Sequence, residues 1–328
     1  NIIQLIMSLA IILISCELFT NGVEWLGKKL KVGDGVVGSI FSAVGTCLPE
    51  TMVPVIAILF FGNNKDSIDI GVGAIIGAPF MLSTLAFFVT GISVLVFWQK
   101  RKTGLNMNVN SNILCRDISF FIITYSIGLS SAIISIQYIR NLIAVFLIAA
   151  YIFYIFLTVS QDKTNHVNID NLYFSSIFNA EPSIYNVLFQ VSTALLGIIL
   201  GAHIFVKNIE KTSEVIGISA LILSLVVTPI ATELPEKFNS IIWISKKKDT
   251  LALGNITGAM VFQSCIPVSI GIIATPWHLG RNLLVCAILS VLSASTTYFW
   301  LENRKKLSPA PLIMGGVFYL IFIISLKH

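Results

Sequence analysis

Long apolar segments, separated by short polar connectors, make up most of this 328-residue chain. Because a transmembrane helix needs about 20 predominantly apolar residues, we interpret ten of these segments as membrane spans. Their predicted limits are 2–24, 35–60, 69–98, 118–136, 141–160, 186–207, 215–244, 249–277, 281–300 and 310–326. The pattern therefore predicts an all-α integral membrane protein with ten transmembrane helices, embedded in the lipid bilayer.

Composition and charge support the same class of protein. Hydrophobic residues make up 55% of the chain and charged residues 11%, whereas a soluble domain carries about 25% charged residues. Of the 21 Lys and Arg residues, fourteen fall in connectors on one membrane side, six fall on the other side, and Lys237 lies within a span. By the positive-inside rule the first side is cytoplasmic, so we expect a cell-membrane protein with both termini outside. The net charge of +5 then reflects topology, and we expect no nucleic-acid partner.

An internal repeat divides the chain into two halves. Residues 16–50 align without a gap with residues 202–236, at an offset of 186, and residues 73–78 align with 254–259. Each half holds five predicted spans, and an odd number of spans gives the halves opposite orientations in the membrane. Two inverted five-helix repeats, with a substrate site where they meet, are typical of secondary transporters. The predicted units are the first repeat at 1–160, a cytoplasmic linker at 161–185 and the second repeat at 186–328.

A short motif occurs in both halves, at the predicted depth of the bilayer. The first copy reads Gly45-Thr46-Cys47-Leu48-Pro49-Glu50, and the second reads Ala231-Thr232-Glu233-Leu234-Pro235-Glu236. A charged side chain at this depth costs about 3 kcal/mol on insertion scales. Two carboxylates at matched positions therefore indicate a function for a pair of negative charges.

The motif contains the oxygen ligands that hard cations prefer. Thr46 and Glu50 are four residues apart and share a helix face, as do Thr232 and Glu236. Each proline lacks an amide hydrogen and should free the carbonyl four residues earlier. Because carboxylate, hydroxyl and carbonyl oxygens bind Ca²⁺ or Na⁺, we predict a cation site in which Glu50 and Glu236 are the metal-binding carboxylates. The alternative is that the Pro-Glu pairs only kink their helices and the glutamates reach the membrane surface. The doubled motif favours the ion site.

Three charged or soft side chains of the motif have more than one interpretation. Glu233 and Lys237 have the helical spacing and order at which Glu and Lys attract each other. We predict that they pair and leave Glu50 and Glu236 to face the ion. The alternative places Lys237 in the cavity, as a fixed cation that displaces a transported one. Cys47 is interpreted as a small buried residue, although a thiol beside the site would favour softer metals.

The third and eighth predicted spans contain glycine pairs with the spacing of close helix packing. On the eighth span, Asn255, Thr257 and Gln263 are candidates to supply further oxygens, whereas the matching positions of the third span are apolar. We therefore expect an asymmetric site. No nucleotide-binding loop, HExxH motif or Ser/His/Asp set is visible in the sequence, so neither an enzyme nor a cofactor is expected.

At these motifs the chain resembles the calcium/cation antiporter superfamily, which includes the sodium/calcium exchangers. The two repeats of that family read approximately G-T-S-L-P-E followed by G-N-x-x-G-S-N. The resemblance implies ten helices in two inverted halves, an ion core of spans two, three, seven and eight, and two long tilted helices, spans one and six, in front of the core. It also implies that Thr46, Glu50, Thr232 and Glu236 are ligands of the transported ions, Ca²⁺ and Na⁺.

The chain departs from this family at two central pairs of residues. Ala78-Pro79 and Ala259-Met260 stand where the family has Ser-Asn, so side chains that complete the coordination are missing. We predict a secondary antiporter that exchanges Ca²⁺, or another divalent cation, for Na⁺ by alternating access, and we expect a monomer. The alternatives are an H⁺-coupled exchanger, because adjacent carboxylates take up protons readily, and a non-transporting ion sensor or scaffold with the same fold.

Overall fold

The computed structural model describes residues 2–29, 47–62, 65–101, 103–161, 171–179 and 181–326, and most of these residues are helical. In chain order the helices are α1 (Ile2–Lys29), α2 (Leu48–Phe61), α3 (Lys65–Met81), α4 (Phe87–Phe97), α5 (Ser111–Ser130), α6 (Gln137–Gln161), α7 (Tyr173–Phe178), α8 (Ile184–Ile216), α9 (Ala220–Thr232), α10 (Leu234–Ser245), α11 (Asp249–Ala274), α12 (Arg281–Arg304) and α13 (Pro309–Ser325). A π-helical turn, Leu82–Ala86, joins α3 to α4.

Seven helical segments of the described chain are long and apolar enough to cross a membrane. They are Ile3–Lys29, Lys65–Lys100, Ser111–Ile133, Gln137–Ser160, Ile184–Ile216, Asp249–Ala274 and Arg281–Arg304. Three shorter apolar helices are Leu48–Phe61, Ala220–Ile230 and Pro309–Ser325. Each of the ten overlaps one predicted span, and residues 35–46 of the second predicted span lie outside the described residues.

Helices α5 and α8 extend furthest beyond their predicted limits, and each ends at a capping residue outside the apolar run. Helix α5 begins at Ser111, where the Asn110 side chain accepts hydrogen bonds from the first free amides of the helix. The sequence predicted a start at 118. Helix α8 runs past its predicted end at 207 and stops at Gly217, whose φ of +74° is a conformation that glycine adopts without a steric cost.

Helices α1 and α8 pack tightly against each other in opposite directions. A Cβ on Gly197 would lie 2.2 Å from Ser15 Oγ, and one on Gly201 would lie 2.9 Å from Ile12 Cγ1. Small residues at such contacts let two helix backbones approach closely. Ile12 and Phe205 are buried in a hydrophobic cluster that also includes side chains of α2.

The centre of the bundle is formed by α11 and by the α3–α4 segment, which are the most buried of the long helices. Helices α5, α6, α12 and α13 surround them and share the larger hydrophobic cluster. The outer faces of α1, α6 and α8 instead expose large apolar side chains such as Ile14, Ile152 and Leu196. Exposed apolar faces on these helices fit contact with lipid.

Helix α7 lies within the predicted linker and contacts both α1 and α8. The amide of Tyr173 donates to the Asn21 side chain at 3.2 Å, and the amide of Phe174 donates to Gln190 Oε1 at 2.9 Å. The described part of the linker is therefore packed on the helix pair. Residues 162–170 lie outside the described residues.

Candidate cation-binding site

Both copies of the motif place a helix start at the same residue of the repeat. Helix α2 begins at Leu48, directly after Cys47, whose φ and ψ are −90° and 4°. Helix α10 begins at Leu234, directly after Glu233, whose φ and ψ are −90° and 9°. Cys47 and Glu233 are matched positions of the repeat. From Cys47 and Glu233 onward, the two halves therefore adopt nearly the same local backbone.

The order of proline and glutamate suits a helix start. Pro49 and Pro235 lie in the first turn of their helices, where an amide has no intrahelical partner and its loss costs little. Glu50 and Glu236 follow in the same turn, where the positive end of the helix dipole stabilises a carboxylate. In the second half only Glu233 leaves helical geometry, and the amides of Glu233 and Lys237 still donate to the carbonyls four residues earlier at 3.1 and 3.2 Å, so α9 and α10 meet at a one-residue kink.

Glu50 is buried inside the bundle, with 3% of its surface exposed. Cys47 beside it is also buried, and its carbonyl accepts a hydrogen bond from the Thr51 hydroxyl at 2.8 Å. Burial of a carboxylate is costly unless positive charge or donors compensate it. Part of that compensation comes from the N-terminus of α2, and a bound cation would supply more.

Lys237 in the second half occupies the position of Thr51 in the first. Its Nζ lies 3.3 Å from Glu233 Oε2, and the two side chains are 8% and 1% exposed. This is the pair that the spacing of the two residues predicts. The side chains of the motif are therefore unequal in the two halves, although the backbones match.

Three hydroxyl side chains of α9 lie one turn apart, and hydrogen bonds link them to one another's turns and to α3. Thr232 donates to the carbonyl of Thr228 at 3.0 Å, and the Thr228 hydroxyl lies 3.3 Å from that of Ser224. Ser224 donates to the carbonyl of Ile70 at 2.7 Å. Thr232 is fully buried, and because its hydrogen is engaged, its oxygen lone pairs are oriented away from Thr228 and can accept a cation.

Among the α11 candidates, Thr257 faces a neighbour that the sequence did not identify. Its hydroxyl donates to Asp117 Oδ2 of α5 at 2.9 Å, and Asp117 also accepts from Arg116 at 2.9 Å. Sequence reasoning placed Asp117 in a connector and therefore missed it. The signal available in the sequence was the adjacent pair Arg116-Asp117, a basic and an acidic residue directly before an apolar span.

Gln263 lies on a different face of α11. It is 2% exposed, and its Oε1 has no hydrogen-bond partner in the described part of the chain. Gln263 is eleven residues from Ala252, so the two share a helix face. The carbonyl of Ala252 accepts a hydrogen bond from Ser240 of α10 at 3.5 Å. Gln263 therefore lies on the side of α11 that meets α10, while Asn255 is only half-buried.

The two glycine pairs have different surroundings. A Cβ on Gly73 would lie 2.8 Å from the carbonyl of Leu221, and one on Gly77 would lie 2.4 Å from that of Leu225. These glycines allow the close packing of α3 that their spacing predicts, and the neighbour is α9. A Cβ on Gly254 would meet no described atom within 4 Å, and one on Gly258 would lie 3.7 Å from Tyr154 Oη, so the second pair makes no such close contact with the described residues.

Two of the four predicted ligands fall outside what the structure describes. Thr46 lies outside the described residues, and Glu236 is described only by its backbone in α10. Glu50, in the first turn of α2, and Thr232, the last residue of α9, are both buried. Within the described side chains, no three His, Cys, Asp or Glu residues form a cluster that could hold a metal ion.

Comparison with known proteins finds similarity over almost the entire chain. The family model described as "Sodium/calcium exchanger protein" matches residues 1–160 and 187–327. The putative antiporter CaxA of Alkalimonas amylolytica is 24% identical, over 98% of this chain and 98% of its own. The inner membrane protein YrbG of Escherichia coli (strain K12) is 22% identical, over 88% of this chain and 86% of its own.

Two solved exchangers have the same fold. The crystal structure of the H⁺/Ca²⁺ exchanger CAX matches with a TM-score of 0.73 and 15% identity, over 100% of this chain and 82% of that one. The sodium-calcium exchanger NCX_Mj matches with a TM-score of 0.60 and 20% identity, over 100% of this chain and 98% of that one. The helical arrangement described above is therefore the fold of these two proteins.

Proposed function

Since the chain belongs to the sodium/calcium exchanger protein family, we propose that it is a secondary antiporter that exchanges Ca²⁺, or another divalent cation, for Na⁺ by alternating access. The observation that carries the proposal is the repeated helix start, with Glu50 buried in the first turn of α2 and Glu236 in the first turn of α10. Two carboxylates at matched positions of a repeat provide the negative charge that a divalent cation requires.

The architecture that we propose is ten transmembrane helices in two inverted five-helix repeats, with both termini outside. The packing of α1 on α8 supports it. Ile12 contacts Gly201 and Ser15 contacts Gly197, and at the repeat offset of 186 the mate of Ser15 is Gly201 and the mate of Ile12 is Ile198. A twofold axis that exchanges the halves would map the contact of Ile12 with Gly201 onto a contact of Ile198 with Ser15. The observed neighbour of Ser15 is Gly197, one residue from Ile198.

In this proposal Thr46, Glu50, Thr232 and Glu236 bind the ion from the two halves. The divalent cation and the counter-ions use the same carboxylates, so they cannot be bound together. Each carboxylate lies in the first turn of a helix, and a helix end of this kind can move with its own repeat. Mutually exclusive occupancy at the boundary between two repeats couples the two ion fluxes.

Gln263 supplies an oxygen that the missing family side chains would otherwise provide. Ala259 and Met260 are buried and offer no side-chain oxygen, and Gln263 lies one turn further along the same side of α11. Its buried Oε1 has no hydrogen-bond partner among the described residues, which suits a role as an ion ligand. The third span offers Ala78 and Pro79 at the equivalent positions, so this ligand is present in one half only.

Coupling to H⁺ is the second candidate function. The loss of polar side chains at Pro79 and Met260 leaves fewer oxygens for several Na⁺ ions, whereas a pair of carboxylates alone can exchange a divalent cation for protons. A non-transporting ion sensor is the third candidate, and it is favoured by the internal Glu233–Lys237 pair, which neutralises one charge of the motif.

A flux assay separates the three candidates. The purified chain is reconstituted in liposomes, and uptake of labelled Ca²⁺ is followed with an outward Na⁺ gradient, with a pH gradient, or with neither. Uptake that requires the Na⁺ gradient supports the proposal, and uptake that requires only the pH gradient supports H⁺ coupling. Ca²⁺-dependent thermal stabilisation without any uptake would instead support the ion sensor. Mn²⁺ and Mg²⁺ in place of Ca²⁺ would identify the preferred divalent cation.

A further inference from the structure

A cavity of about 440 Å³ lies where α12 ends and α13 begins, remote in sequence from the ion site. It is lined by Asn106, Trp300, Arg304, Lys306 and Ser308. Each of these five side chains carries a hydrogen-bond donor, two of them are cationic, and none is acidic. A cavity with this lining is complementary to an anion.

The fold brings the lining residues together through two connectors. After α12 the chain reverses at Lys305, whose φ is +51°. The next residues then pair with the connector before α5, where the amide of Met107 donates to the carbonyl of Leu307 at 2.9 Å in an antiparallel bridge. This bridge places Asn106 opposite Ser308, on two sides of the cavity.

A buried ion pair holds the first connector in place. The Arg101 guanidinium forms a bidentate contact with the Asp249 carboxylate at the start of α11, with Nη1 2.8 Å from Oδ1. The amide of Asn108 donates to the same carboxylate at 2.7 Å. Arg101 and Asp249 are both almost completely buried, so this ion pair anchors the described part of the connector to the start of α11.

Two donors of the cavity have no acceptor within the described part of the chain. Trp300 Nε1 and Ser308 Oγ are both shielded from solvent and make no hydrogen bond there. A buried donor without a partner is costly, and a ligand oxygen that reached the two donors after a small side-chain movement would satisfy both. The Arg304 guanidinium lies 4.4 Å from the centre of the Trp300 ring, which fixes its position over the cavity.

The N-terminus of α13 adds to the positive potential of the cavity. Ser308 is the N-cap of this 17-residue helix, and its side chain does not cap the helix. Pro309 and Pro311 have no amide hydrogen, so of the first three residues of α13 only Ala310 offers a free amide, and the attraction for an anion such as phosphate comes mainly from the helix dipole. Of the acidic residues near the cavity, Asp249 is buried in its pair with Arg101. Glu302 is on the opposite face of α12 from Trp300, and it pairs with Lys305 at 2.8 Å. The cavity therefore keeps the charge of Arg304 and Lys306.

We infer that this cavity binds the phosphate group of an anionic phospholipid. Free phosphate has the same chemistry, but the surroundings favour a lipid. Ile288, Leu292 and Phe299 form an exposed apolar stripe along α12 beside Trp300, and acyl chains can lie along it. Tryptophan at the end of an apolar helix is typical of the lipid headgroup level, and basic pockets between transmembrane helices are typical headgroup sites.

The test measures the thermal unfolding midpoint of the purified full chain in a neutral detergent. Phosphatidylglycerol, phosphatidylcholine with the same acyl chains, and inorganic phosphate are added separately. We expect phosphatidylglycerol to raise the midpoint and the other two additives to have little effect at equal concentration. In an R304Q/K306Q variant, half-maximal stabilisation should need about tenfold more phosphatidylglycerol, since two charged hydrogen-bond donors are lost.

A matched control removes two charges from the same region without touching the cavity. Lys100 and Lys246 are exposed and do not line it, so K100Q/K246Q should respond to phosphatidylglycerol as the unmodified chain does. Equal responses of the two double variants would overturn the inference, as would an equal effect of phosphatidylcholine. Stabilisation by inorganic phosphate at the same concentration would assign the site to a free anion and overturn the assignment to a lipid.

A second variant serves if R304Q/K306Q does not fold. W300F removes the indole donor alone, and an unchanged phosphatidylglycerol response would overturn the inference.

Discussion

The carbonyl oxygen of Leu225 faces Gly77 across the contact between α9 and α3, where a Cβ would approach it to 2.4 Å. This carbonyl has no helical donor, because the residue four positions later is Pro229, which has no amide hydrogen. The glycine of one half therefore packs on the backbone that a proline of the other half exposes. The contact lies one to two turns from Thr232, so it fixes the separation of two helices that carry the proposed site.

Gly77→Ala should destabilise the protein by about 1–3 kcal/mol, because the added methyl group would overlap backbone that cannot move aside. The free energy of unfolding, measured by chemical or thermal denaturation in detergent, checks this. Gly254→Ala is the matched control, since a Cβ there meets no described atom within 4 Å. It should leave the free energy of unfolding unchanged or raise it, since alanine favours the helix by about 1 kcal/mol. Equal effects of the two substitutions would contradict the packing described for α3.

Glu233→Gln should be strongly destabilising, because it leaves the ammonium group of Lys237 buried without its partner. Breaking a buried ion pair on one side costs about 3–5 kcal/mol. The double variant E233Q/K237Q should recover most of this loss, because no unpaired charge remains. The unfolding midpoint of the three variants, including K237Q alone, gives the coupling between the two residues. Full stability and full Ca²⁺ uptake in E233Q would show that the pair is not needed.

Glu50→Gln should abolish uptake of labelled Ca²⁺ and keep the unfolding midpoint close to that of the unmodified chain. Glutamine has nearly the shape of glutamate but lacks the charge that a divalent cation requires. Glu236→Gln should have the same effect on uptake if the two repeats supply equivalent ligands. Glu302→Gln is the control, because Glu302 is exposed and lies at the end of α12. Uptake at the unmodified rate in E50Q or E236Q would remove that residue from the site.

The apolar pattern and the repeat predicted much of this structure, because neither requires knowledge of which helices contact each other. The offset of 186 residues already placed the two motifs at equivalent points, and the structure gives Cys47 and Glu233 the same backbone angles. The spacing of Glu233 and Lys237 predicted their pairing, since residues four apart on a helix are neighbours in any fold.

Contacts between distant connectors were not predictable in the same way. Arg101 and Asp249 are 148 residues apart in sequence, and the apolar periodicity says nothing about which loops meet. The partner of Thr257 was missed for a related reason. A helical pattern gives the face on which a side chain lies, but the neighbour of that face depends on the arrangement of the helices, which here places Asp117 against it.

Substitutions of Gln263 and Thr257 distinguish the proposed ion-binding face of α11 from the face that only packs against α5. Gln263→Leu should raise the half-saturating Ca²⁺ concentration about tenfold, as expected for the loss of one hydrogen-bonding or ion-binding oxygen, and should leave the unfolding midpoint unchanged or higher. Thr257→Val should do the opposite, because it removes a donor from the buried Asp117 carboxylate and costs about 1–3 kcal/mol of stability. Measuring the Ca²⁺ dependence of uptake and the unfolding midpoint for both variants distinguishes the two roles. If instead Thr257→Val changed the Ca²⁺ dependence and Gln263→Leu did not, the ion would be bound on the face of α11 that meets α5.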